Sequence, residues 1–229
     1  MTFSKTNQQL LPINHDAMTA FENFVTFDAH KPIIHQLQYI KTGEQVFLYG
    51  ESGTGCSHLA KATCVYHVGL QSMYLPLKRL KGIDPSMLEG LDQIDLVCIE
   101  DVDLLANSEA QQVLLFDLIN LCQLFKVALI VTSHIKPEFM DGWLPDLKTR
   151  LQAMCNWQLP CFNDDQKAVI LAHWLKNQNM YVDDDVVLFI FKHRTRDLRE
   201  GKALLASFLT YCMSVKKTPN IISLRGFSG

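Results

Sequence analysis

The 229-residue chain has little of what marks the specialised classes of protein. No apolar run approaches the roughly 20 residues of a bilayer-spanning helix. Residues 1–15 have no basic stretch feeding an apolar one, so no secretory signal is expected there. None of the seven cysteines forms a CxxC pair. Cys56, Cys64, Cys98, Cys122, Cys155, Cys161 and Cys212 sit mostly within apolar runs such as Leu96-Val97-Cys98-Ile99. That placement reads as free thiols in a reducing cytoplasm rather than a disulfide or zinc framework. The histidines lack metal-ligand spacing, so no metal site built from protein ligands alone is expected. Excess charge of one sign is also missing. The formal net charge of -3 gives no global field to draw nucleic acid, so any DNA contact should be indirect or weak. Internal repeats and low-complexity blocks are absent.

What is present is an ordinary globular balance, 48% hydrophobic and 20% charged, which argues against disorder and for a substantial core. Short β-type runs at Gln45 to Tyr49, Ser72 to Leu75, Asp95 to Ile99, Val127 to Thr132 and Asn156 to Leu159 alternate with helical segments. The third and fourth are apolar almost throughout, as parallel strands covered on both faces should be. Helices are expected from Lys31 to about Lys41, from His58 onward, and from Ser108 to Phe125, the last apolar on nearly all sides. After Pro160 only helical patterns remain: Asp164 to about Asn177, a second from Asp183 to Asp185 onward, and a third from Asp197 to Met213. Residues 223–229 show no helical signal. The organisation expected is a tail (1–20), an α/β nucleotide-binding domain (21–160) and a small helical lid domain (161–229).

Gly50-Glu51-Ser52-Gly53-Thr54-Gly55-Cys56-Ser57 follows the first strand and opens the helix that begins near His58. It fits the phosphate-binding pattern GxxxxGK[ST] at every fixed position except the lysine, which is Cys56. Glycines at 50, 53 and 55 allow positive φ and let backbone N–H groups converge on an anion at the helix N-terminus. Ser57 supplies the hydroxyl that would reach Mg²⁺. A thiol titrating near pH 8.5 cannot replace the lysine charge. The expectation is therefore ADP or ATP binding, ADP above all, with little or no intrinsic hydrolysis. A second element lies at the tip of the third strand, where Glu100 and Asp101 could hold Mg²⁺ with Ser57.

With these residues the chain resembles the DnaA branch of AAA+ ATPases over nearly its whole length, and within it the regulatory inactivators of DnaA. Phe21-Glu22-Asn23-Phe24-Val25 looks like the branch's opening box. Val131-Thr132-Ser133-His134 resembles the sensor 1 segment, with His134 where an acid or amide is usual. Leu144 to Leu151 matches the segment carrying the arginine finger, making Arg150 the candidate catalytic residue. Arg196-Asp197-Leu198-Arg199 resembles sensor 2, which would lean Arg196 over the phosphates. The resemblance implies a parallel five-stranded sheet in the order 5-1-4-3-2, with a helical lid.

It also implies partners. Gln8-Gln9-Leu10-Leu11-Pro12-Ile13 looks like a peptide that docks on the sliding clamp (beta) of DNA polymerase III. Gln8, Leu11 and Pro12 match it, and Gln9 and Ile13 depart from it. The clamp and DnaA are the partners expected, and homodimerisation is left open. About 30 residues follow Arg199, too few for the helix-turn-helix domain expected of a DnaA. Two alternatives stand beside this reading. One is a helicase-loader-like protein, the other a diverged adaptor without DnaA-inactivating activity. The basic run Lys192-His193-Arg194, Arg196, Arg199 and Lys202 reads as a solvated helix face.

Overall fold

Five strands form one parallel sheet in the computed structural model, which describes residues 19–227. They are β1 (Gln45–Tyr49), β2 (Ser72–Pro76), β3 (Leu96–Glu100), β4 (Ala128–Ser133) and β5 (Cys155–Gln158). The order β2-β3-β4-β1-β5 is the expected one, read from the other edge. The strand positions agree with the sequence reading to within a residue, because continuous apolar runs mark strands that are covered twice. Alternation through the pleat divides those runs between two cores. Val46, Leu48, Leu96, Cys98 and Ile130 face one side, while Phe47, Val97, Ile99, Leu129 and Val131 face the other. Each such side chain contributes about 1.5–3 kcal/mol at most when fully buried.

Helices α1 (Lys31–Gln38) and α2 (Cys56–Tyr66) cover the first face through Ile33, Leu37, Leu59 and Ala62. The short α3 (Leu77–Leu80), α4 (Glu109–Leu124) and α5 (Pro145–Ala153) cover the second through Leu77, Leu115, Ile119, Leu147 and Leu151. The Ser108 hydroxyl caps α4 by accepting the Gln111 N–H at 3.4 Å. This helix is less enclosed than its composition implies. Val113 is 44% exposed and Leu124 70%, since only one face of α4 meets the sheet.

Beyond β5 the described residues contain no strand. Helices α6 (Asp164–Asn177), α7 (Asp184–His193), α8 (Leu198–Val215) and α9 (Ile221–Arg225) enclose a third core of Leu171, Leu175, Ile190, Phe191, Leu205 and Phe208. Asn163 and Gln166 form a capping box at the start of α6. The helix α9 falls where no helical signal was read. It is one turn long and is set by the Asn220 cap and the fully buried Leu224, too little for a periodic pattern. Arg194 ties it down, donating to the carbonyls of Leu224 (3.0 Å) and Phe227 (3.1 Å). Among the described residues no helix is long and apolar enough to cross a membrane.

Candidate functional site

The turn from β1 into α2 is built by close approach. Gly50 donates its N–H to the Ser133 carbonyl at 3.3 Å, extending the sheet register by one residue. Its φ is not positive, contrary to the sequence reading. Glycine is needed because a Cβ there would lie 2.7 Å from Thr54 Oγ1 and 2.9 Å from the Leu159 carbonyl. Positive φ is confined to Gly53 (+87°) and Gly55 (+102°), and a Cβ on Gly55 would fall 2.6 Å from the Phe24 ring. The loop is braced from within, as the Thr54 hydroxyl donates to the Glu51 carbonyl at 2.8 Å. Helix α2 begins at Cys56, and Leu59 donates back to the Gly55 carbonyl at 2.9 Å. The N–H groups before Leu59 in the first turn therefore have no intrahelical partner and remain available to an anion.

Cys56 occupies the position where the motif carries lysine. It is half-buried, packed against the core beneath α2, with Sγ 3.7 Å from Thr54 Oγ1. Burial pushes its thiol up to about 11, so it is uncharged at neutral pH. His58 is held by a 3.0 Å contact between its Nε2 and the Ala20 carbonyl. Its pKa is lowered, chiefly by burial and then by the charges of Lys202 and Lys61, against the opposing Ala20 contact.

At the tip of β3, Glu100 is only 7% exposed and its Oε1 has no hydrogen-bond partner. Burial raises its pKa, while the neighbouring hydroxyls of Tyr74 and Ser57 and the Lys61 charge pull it back. A buried, unpartnered carboxylate oxygen beside Ser57 fits a divalent cation, although no cluster of three acidic, His or Cys ligands occurs among the described residues. Asp101 takes a left-handed conformation (φ 57°) and donates its N–H to Thr132 Oγ1 at 3.1 Å. His134 is committed to Asp103, with Nδ1 3.1 Å from Oδ2 and its N–H donating to Oδ1 at 3.0 Å.

Two cavities flank the phosphate loop. The larger, about 330 Å³, lies between Gly53, Gly55 and Ser57 of the loop, Phe24 and Val25 of the N-terminal segment, and helices α6 and α8. Ile170 and Trp174 enter it from α6, and Arg199 and Lys202 from α8. The smaller, about 260 Å³, borders Glu51, Ser52, Gly53 and Thr54 and takes in Lys167 and Arg196. Leu198 lines both and packs on Gly53, where an added Cβ would sit 3.5 Å from Leu198 Cβ.

The fold thus brings residues 50–58, Glu100, Asp101 and Arg196 to one end of the sheet. Arg150 is elsewhere. It is exposed in the last turn of α5, donates to Gln123 Oε1 at 2.9 Å and lines neither cavity. The proposed clamp contacts Gln8, Leu11, Pro12 and Ile13 lie outside the described residues. Every residue of the basic run is exposed, as a solvated surface should be, but the run is divided between the end of α7, the connection after it and α8. Arg194 bonds backbone carbonyls, Arg196 reaches the smaller cavity, and Arg199 and Lys202 line the larger. The three-residue spacing of Arg199 and Lys202 was the available sign that they share a helix face. Trp174 and Ile170 carried no sign of a site, since aromatic and aliphatic residues at helical spacing usually mark core.

No protein-family model matches the chain. Among solved structures it is similar to domain III of the replication initiation protein DnaA from Thermotoga maritima. That match has 21% identity and a TM-score of 0.79, covering 90% of this chain and 94% of that one. DnaA from Aquifex aeolicus bound to AMPPCP matches with 20% identity and a TM-score of 0.70, over 87% of this chain and 66% of that one. ORC1 from Aeropyrum pernix in complex with DNA matches with 13% identity and a TM-score of 0.69, over 93% and 67%. At such identities the likeness is one of architecture: the chain has the AAA+ P-loop fold, a five-stranded parallel sheet followed by a helical C-terminal part.

Proposed function

We propose that the chain is an Hda-like regulator of replication initiation, a cytoplasmic protein that holds adenine nucleotide without hydrolysing it well and promotes ATP hydrolysis in DnaA. The observation that carries this reading is the pairing of a phosphate loop lacking its cation with an exposed Arg150 outside its own site. The loop retains backbone donors and the larger cavity beside it, which suit the base and phosphates of ADP. It lacks the charge that a γ-phosphoryl transition state needs. Mg²⁺ bound with nucleotide would lean on Ser57 and Glu100 and neutralise phosphate charge.

Arg150 is the residue offered in trans. Among the described residues its guanidinium is held only by the neutral Gln123 amide and meets no carboxylate, which suits it to a partner's phosphates. A segment with Gln8, Leu11, Pro12 and Ile13 would tether the protein to the sliding clamp and raise its local concentration near DNA-bound DnaA. The test is hydrolysis by DnaA–ATP in the presence of clamp loaded on DNA, with and without this chain. Stimulation that disappears in Arg150→Ala supports the reading. No stimulation, or stimulation indifferent to Arg150, overturns it. Helicase loading, or adaptor activity without effect on DnaA, would then be the roles to pursue.

A further inference from the structure

We propose that Arg199 and Lys202 of α8 take over the phosphate-facing positive charge that Cys56 does not supply, so that a nucleoside diphosphate is held jointly by the loop backbone and by α8. This rests on the reading that the loop holds nucleotide, and it adds residues to which that reading gave no part.

A diphosphate brings two to three negative charges to a loop whose helix end offers the equivalent of about half a positive one. The usual lysine closes that gap, whereas here the position is a neutral thiol. Cations must then come from another element. The two cavities differ in what they provide. Lys167 and Arg196 in the smaller one face Glu51 and Asp197, two cations against two carboxylates. The larger contains Arg199 and Lys202 and no carboxylate at all among its lining residues. Neither residue is ion-paired among the described residues, so a phosphate would displace no carboxylate there. Lys202 lies over the Trp174 ring, 4.9 Å from its centroid, which holds the ammonium at the cavity wall without neutralising it.

The start of α8 is also fixed against the loop. Asp197 accepts the N–H groups of Arg199 and Glu200 at 2.7 and 2.9 Å, and Leu198 packs on Gly53. Arg199 and Lys202 are three residues apart, so both side chains leave the helix on the same face, toward the first turn of α2. Their fields already act there. The charge of Arg199 bears on the Cys56 thiol and that of Lys202 on the His58 ring. Bound diphosphate would therefore fasten the C-terminal helices to the sheet, and loss of these cations would loosen both ligand and α8.

Equilibrium binding of ADP and of adenosine to the full chain tests this, using wild type, Arg199→Ala, Lys202→Ala, Cys56→Lys and the Cys56→Lys/Arg199→Ala pair. Arg199→Ala should weaken ADP about tenfold or more while leaving adenosine unchanged, and should flatten the salt dependence of ADP binding. Cys56→Lys should restore most of the loss in the paired variant. ADP affinity within about twofold of wild type in both single alanine variants overturns the proposal, as does an equal loss of ADP and adenosine. A wild-type chain that binds neither ligand overturns the underlying nucleotide reading instead.

Discussion

The phosphate loop and the end of α5 lie in opposite helical layers of one sheet, and their electrostatics are inverted. At the loop, backbone donors and a large cavity are ready for an anion, while burial holds the Cys56 thiol neutral. At Arg150 a full positive charge stands in solvent with no carboxylate pairing it among the described residues, and no anion-binding backbone surrounds it. In an enzyme that hydrolyses its own nucleotide the phosphate loop carries its own lysine, and a finger arginine is added in cis or in trans. On the proposed reading, the separation of loop and Arg150 lets nucleotide act as a structural ligand on one side while the cation serves another molecule on the other.

The sharpest way to break this comparison is at Arg150. Arg150→Ala should lower DnaA hydrolysis stimulated by this chain by about 10³-fold, measured as phosphate release. Arg150→Lys should recover only a small part, because an ammonium lacks the planar fork that engages two phosphate oxygens. The next largest effect is expected at Gly55. Alanine there would combine a +102° φ with a methyl driven into the Phe24 ring, at a cost of about 2–3 kcal/mol visible as a lower urea midpoint. An unchanged midpoint would mean that the loop is not held by Phe24. Asp197→Ala removes the α8 cap and should cost about 1 kcal/mol, with weaker ADP binding if α8 is part of the phosphate site. ADP affinity indifferent to that cap would separate the helix from the loop.

The smallest effect concerns Glu100. Burial raises its pKa, so the folded chain holds this proton more tightly than the unfolded chain does. Stability from this group is therefore fully present below the ordinary carboxylate range and is lost as pH rises toward the folded value. Glu100→Gln should raise the melting temperature by a few degrees near pH 7.5, a gain that shrinks toward about pH 4. A gain that is constant across this range would show that Glu100 acts through packing instead.

The sheet and the loop were legible in the residues themselves. Runs such as Leu96 to Ile99 and Val127 to Thr132 are short, apolar and bounded by polar residues, the pattern of strands covered on both faces, and three glycines between a strand and a helix mark an anion cradle before any fold is known. Local chemistry also sufficed for the helix starts at Ser108 and Asp197, where the capping hydrogen bonds span three residues or fewer. Long-range placement decided the rest. Whether Gly50 serves φ or close approach depends on the Leu159 carbonyl, more than a hundred residues away. The short α9 exists because Arg194 and the third core receive it. Most of all, the sequence by itself presents Arg194, Arg196, Arg199 and Lys202 as one basic run. Only the tertiary packing divides them, Arg194 to the carbonyls at α9 and the other three to the two sides of the phosphate loop, because charge acts through distance in space, and separation along the chain does not measure it.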